Sequence, residues 1–232
     1  MKQPKEPLTR TRLKAPKAAA IAGIIFSVLL IIGLVLLLAS IPANLDEGGG
    51  WLASHGNTIL LALNLIPFSG IAFLWFMGVI RDHLGEYEDQ FFATVFLGSG
   101  LLFLALLFSY AAVTGGIIKL YTTHANRLLA DGFYDLGLSV SREIINTYAV
   151  KMEGVFMIST GTIFIRTKVI PRWLALLGYV LALFLLLRIG YTNRLVWISL
   201  VFPIWILLIS LYILIDNYRK KTETIPTEVS SK

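Results

Sequence analysis

The sequence predicts an all-α fold: a polytopic bundle of six membrane-spanning helices with both termini in the cytoplasm. Three observations carry this reading. First, six apolar runs punctuate 232 residues, and each matches the ~20 residues that a helix needs to cross ~30 Å of hydrocarbon. Second, charged residues make up 15% of the chain, against roughly a quarter in a soluble domain, and the mean hydropathy is +0.76. A soluble core of this size cannot hide six such runs. Third, the basic residues are distributed unequally between the two sides that these runs define.

The runs are Ala18–Ile41, Asn57–Ile80, Phe91–Thr114, Ile144–Ile165, Trp173–Ile189 and Leu195–Ile215. They define a membrane domain over 18–215, flanked by a basic tail (1–17) and a C-terminal tail (216–232). With the N-terminus inside, fourteen Lys and Arg face the cytoplasm: six in the N-terminal tail, Arg81, three between the fourth and fifth runs, and four in the C-terminal tail. Five face outward: Lys119, Arg127, Arg142, Arg188 and Arg194. This is the positive-inside pattern.

The first run follows Lys14 and Lys17 and contains Ala19, Gly23 and Ser27 at spacings of four. One helical face therefore permits close helix approach, within the bundle or between two copies. At 24 residues the run exceeds the ~7–15 of a secretory h-region, so it reads as a retained helix. Pro42 ends it, and Asp46 and Glu47 then sit in a glycine-rich, solvated turn. The second run holds Asn64 and Pro67. Proline frees the carbonyl four residues earlier, and a polar neighbour compensates for it in lipid. Pro203 predicts a second kink, and paired broken helices also mark transporter sites. Arg81 opens a polar loop through Asp89. A lone His83 among acids there is better read as a solvated hairpin than as a metal site, and no metal or cofactor is expected. Trp51 and Trp173 lie where interfacial anchors sit.

The third run is rich in Gly and Ser. The segment 119–142 after it mixes Leu128, Leu129, Phe133, Leu136 and Leu138 with polar residues, which predicts a partly helical extracytoplasmic element. The fourth run alone carries charge in its interior. Glu153 lies 12 residues before Ile165, hence ~18 Å from the inner boundary. Asn146, Glu153 and Thr160 recur every seven residues and share a face. A charge at this depth is costly unless it is neutralised, paired or hydrated. Glu153, Lys151, Asn146, Thr160 and Asn64 are therefore the candidate intramembrane polar site. It reads either as a proton or substrate site or as a structural hydrogen-bonded group.

The basic residues Lys14, Lys17, Arg81, Arg166, Lys168 and Arg172 are candidate contacts for anionic lipid head groups on the cytoplasmic side. The same distribution argues against nucleic acid, since no binding motif accompanies the charge. With no cysteine, disulfides, thiolate metal sites and cysteine nucleophiles are excluded. No P-loop, zincin, nucleophile-elbow or dinucleotide fingerprint occurs, so no enzyme activity is expected.

Two stretches carry a resemblance. One is Ile66–Val113, with Pro67-Phe68-Ser69-Gly70, the Arg81-Asp82 pair and Phe91-Phe92-Ala93-Thr94. The other is Pro171-Arg172-Trp173 through Gly178-Tyr179. Both are similar to a group of uncharacterised bacterial multipass membrane proteins of unknown function. The resemblance implies six helices and a bacterial inner membrane, and it implies no ligand or catalytic residue. Two functions are expected to compete. One is a non-enzymatic scaffold, accessory subunit or partner of a membrane assembly, with a protein partner or a second copy of itself. The other is a small transporter or proton-coupled carrier that uses Glu153.

Overall fold

The computed structural model describes residues 15–41, 50–84, 90–130, 132–167, 169–187 and 198–223. Among them there is no strand. The elements are α1 (Ala15–Ser40), α2 (Gly50–Leu84), α3 (Gln90–Ala130), α4 (Phe133–Glu143), a π-helical segment (Ile144–Ala149), α5 (Val150–Thr167), α6 (Arg172–Leu187) and α7 (Val201–Glu223). Among the described residues, four helices are long and apolar enough to cross a membrane: Lys17–Ser40, Ser54–Arg81, Phe91–Thr123 and Ile198–Arg219. Of the other two predicted spans, α5 holds Lys151, Glu153 and Arg166 within 18 residues, and α6 is described over 16 residues, ~24 Å of helix, with the rest of that run outside the described residues.

The helices outrun the apolar runs, because a helix satisfies its own backbone whether lipid or water surrounds it. α2 has 35 residues and α3 has 41, ~52 and ~62 Å against a ~30 Å hydrocarbon core. After α3 the chain reverses through Gly132, whose φ of 70° lies in the left-handed region that glycine adopts without strain. The helix then resumes and continues from Phe133 through the π segment to Thr167. The segment 119–142 is thus a helical hairpin. Trp51 is not an interfacial anchor. It is buried, and its Nε1 donates to the Tyr134 hydroxyl at 2.7 Å, which ties α2 to α4. Trp173 is 62% exposed, as an anchor would be.

Neighbouring helices run antiparallel, and small residues set how closely they approach. An added Cβ at Gly23 of α1 would strike Ser210 Oγ of α7 and lie 2.9 Å from the Phe76 ring of α2. At Gly100 of α3 it would strike Met77 of α2 and lie 3.0 Å from the Phe156 ring of α5. At Gly154 and Gly161 of α5 it would lie 3.2 Å from the Ala182 carbonyl oxygen and 3.6 Å from that of Ala175, both on α6. This is the small-residue packing that lets helices associate in lipid without a hydrophobic driving force. Ala19, Gly23 and Ser27 are all buried, so this face of α1 packs inside the bundle. The Lys17 ammonium sits 4.8 Å from the Tyr218 ring centroid, which brings the start of α1 and the end of α7 to the same end of the bundle.

Phenylalanines fill the centre. Phe73 of α2 lies 4.5 Å from Phe26 of α1, 5.7 Å from Phe103 of α3, 5.1 Å from Phe156 of α5 and 5.8 Å from Phe202 of α7, ring centroid to centroid. Phe76 and Phe96 extend the cluster. Edge-to-face and tilted pairs of this kind are the arrangements that ring quadrupoles favour. The outward faces remain apolar. Ile21, Ile25, Val28, Ile32 and Val35 of α1 are exposed at helical spacing, an inside-out pattern suited to lipid.

The proline reading changes at one position. Pro203 lies in the first turn of α7, after a single 3₁₀ turn at Ile198–Leu200. An N–H there has no helical partner to lose, so this proline starts a helix instead of kinking one. Pro67 is internal to α2, which continues through it. Residues 42–49 and 85–89, together with Arg188, Arg194 and residues 1–14 and 224–232, lie outside the described residues.

Candidate intramembrane polar site

Glu153 is 2% exposed, and its Oε2 has no hydrogen-bond partner among the described residues. It stands one turn from Phe156, which belongs to the aromatic centre. Two rulers give its depth. Arg166, at the end of α5, is thirteen residues away, ~20 Å. The second ruler follows side-by-side contacts from Phe156 through Gly100, Met77 and Phe76 to Gly23. It places Glu153 ~14 Å from the level of Lys17. Both distances are comparable to half of a ~30 Å hydrocarbon layer.

Thr160, seven residues on, shares this buried face. It is fully buried, and its Oγ1 lacks a partner. Asn146, seven residues before Glu153, is only partly buried. The reason is the π segment at Ile144–Ala149. Its one extra residue turns everything before it by ~100° relative to an α-helix, so the heptad spacing no longer marks one face. Asn64 is not part of the site. It is exposed on α2, on the outer side of the bundle, away from the buried face that holds Glu153.

Lys151 does not pair with Glu153. Residues two apart on a helix do not face one another. Its ammonium donates instead to the backbone carbonyls of Leu186 and, at 3.4 Å, of Leu185 in the last turn of α6. Nearer the Lys17 end, the Thr162 and Tyr179 hydroxyls pair at 2.8 Å and join α5 to α6 again.

Two further buried hydroxyls, Ser27 and Ser210, have no partner among the described residues. Ser27 belongs to the four-residue spacing of α1. Ser210, by contrast, carries no signal in the sequence, because its place opposite Gly23 depends on how α7 docks. Buried seryl and threonyl groups elsewhere donate to their own helix, as Ser99 does to Val95 at 2.6 Å and Ser159 to Phe156 at 3.0 Å.

The basic residues gather at the Lys17 end. The Arg166 guanidinium lies 4.8 Å from the Phe92 ring centroid, while Arg81 and Arg172 are exposed. Lys14 and Lys168 lie outside the described residues. Chemically, this is an apolar core with one deep carboxyl and a few hydroxyls, and a cationic rim at one end. No family model matches the chain, and comparison with curated proteins and with solved structures yields no match.

Proposed function

We propose that this chain is a six-span protein of a bacterial inner membrane that serves as a non-enzymatic scaffold or accessory subunit of a membrane assembly. Both termini face the cytoplasm. One observation carries the functional reading: seven phenylalanines from five helices pack ring to ring beside the turn that holds Glu153. A carrier needs an aqueous route to a midplane site, and interlocked rings oppose one. The basic rim at Lys17, Arg81, Arg166 and Arg172 suits anionic lipid on the inner leaflet, and the orientation follows from the charge asymmetry. The resemblance to bacterial multipass proteins supports the compartment. Its partners are the bilayer and either another membrane protein or a second copy of itself.

A second reading rests on one specific observation, the buried Glu153 Oε2 without a partner. Under it, the chain is a small proton-coupled carrier. Proteoliposomes with a trapped pH dye separate the two. The scaffold reading expects the same proton leak from the natural chain and from Glu153→Gln. A leak or coupled flux that Glu153→Gln abolishes would establish the carrier. Orientation is checked by reporter fusions after Glu223. A reporter that works only in the cytoplasm is expected to be active there, and activity of an export-dependent reporter would reverse the assignment.

A further inference from the structure

Helix α2 has two faces. The inner one holds Phe73, Phe76 and Met77, all buried. The outer one runs through Asn64, Phe68, Ile71, Trp75 and Gly78, all exposed. Steps of four, three, four and three residues keep these five on one seam, the spacing of paired helices. Lipid suits the three apolar members, but not the other two. Asn64 stands ten residues after Ser54 and seventeen before Arg81 in the span Ser54–Arg81, ~15 and ~26 Å along the helix. Among the described residues its amide has no hydrogen-bond partner, and an amide left unbonded in hydrocarbon is costly. Glycine weakens a helix interior, and elsewhere in the bundle close packing offsets that. An added Cβ at Gly70 of the same helix would strike the Phe108 ring of α3. At Gly78 it would meet nothing within 4 Å among the described residues.

We propose that this outer face of α2 is a dimer interface within the membrane, and that a second copy of this chain covers it. The proposal rests on the scaffold reading in one respect, that the chain has a partner, and it names the surface that the partner meets. Two copies inserted the same way are related by a two-fold axis along the membrane normal. Their α2 helices then run parallel, and each seam residue meets its own counterpart. Asparagine suits that place. Its amide is both donor and acceptor, so two identical amides satisfy each other with two hydrogen bonds. A single polar residue in an apolar seam also fixes the register. Gly78 against Gly78 lets the backbones approach, and Phe68, Ile71 and Trp75 supply the apolar contact. A different protein would have to bring its own polar group to the level of Asn64, whereas a second copy brings it by symmetry.

The test uses the full chain, in native membranes and in liposomes of phosphatidylethanolamine and phosphatidylglycerol. The chain has no cysteine, so a single introduced thiol reports one position. On mild oxidation of the membranes, Ile71→Cys is expected to give a disulfide-linked dimer. Val180→Cys, 66% exposed on α6, is the lipid-facing control and should give none. In liposomes, energy transfer between donor- and acceptor-labelled copies, followed as added lipid dilutes them, measures association. Asn64→Leu should weaken it roughly tenfold, the loss of two interhelical hydrogen bonds, and Gly78→Leu should abolish it. Neither site packs against the rest of its own chain, so both variants should keep the natural unfolding midpoint once dilution has made every copy monomeric. The proposal is overturned if position 71 cross-links no more than position 180, if it cross-links only to a different protein, or if Asn64→Leu associates as the natural chain does. Where Gly78→Leu does not fold, Asn64→Leu and the cross-linking pair decide. None of these results touches the proton-leak comparison, so failure of this interface is distinguishable from failure of the scaffold reading.

Discussion

Phe73→Ala is expected to be among the most destabilising single substitutions in this chain, costing about 3 kcal/mol or more. Phe73 is fully buried, and its ring touches those of Phe26, Phe76, Phe103, Phe156 and Phe202. Four of these partners come from other helices, so truncation opens a cavity where α1, α2, α3, α5 and α7 meet. In lipid the transfer part of a core substitution is small, because the unfolded helix sits in an equally apolar solvent. What is lost is dispersion and ring pairing, about 0.5–1.5 kcal/mol per favourable aromatic pair. Phe73→Leu, which keeps most of the volume, should cost well under half as much. Denaturation in mixed micelles checks both. Equal stability of Phe73→Ala and the natural chain would mean that the rings do not hold the bundle together.

Gly178→Val is expected to have an effect of similar size through the opposite mechanism. An added Cβ at Gly178 of α6 would lie 2.6 to 2.9 Å from three atoms of the Trp205 indole of α7. The indole has little room to retreat. It is fully buried, and its Nε1 donates to the Leu174 carbonyl at 3.3 Å. Overpacking of this kind costs about 1–3 kcal/mol, and a branched side chain adds a second collision. The expected loss is about 3 kcal/mol, accompanied by a change in tryptophan emission as the indole leaves its dry setting. The double variant Gly178→Val with Trp205→Phe should recover part of the loss, since coupled neighbours are not additive. Additive losses in that cycle would show that the two residues do not meet.

Much of the fold is legible in the residues. Apolar runs and the scarcity of charge mark an all-helical, membrane-embedded chain. Depth counting along the fourth run singles out Glu153, which the structure buries, and Gly23 and Ser27 mark a close-packed face by spacing alone. What fails does so for identifiable reasons. Helix ends do not follow hydropathy, so α2 and α3 extend well past their apolar runs, and Trp51 lies inside the structure that they form. One extra residue in the π segment breaks the seven-residue rule that tied Asn146 to Glu153, and no sequence pattern announces that insertion. Asn64 reads as interior because polar residues within spans usually are, yet the structure turns it outward, since its face of α2 depends on how the helices pack. Lys151 reaches carbonyls 34 and 35 residues away, a contact that depends on the close approach of α5 and α6 at Gly154.

The central claim is that the middle of this bundle is dry and closed. The chain has no cysteine, so a single introduced thiol can be read without background. Ser27→Cys and Thr160→Cys are nearly isosteric and place the thiol at fully buried positions on α1 and α5. Ser54→Cys, on an exposed position of α2, serves as the labelled control. In intact membrane vesicles exposed on each face to a charged, membrane-impermeant thiosulfonate, the account predicts rapid labelling at 54 and none at 27 or 160. Labelling of either buried thiol at a rate comparable to the control would reveal a water-filled path to the level of Glu153 and contradict it.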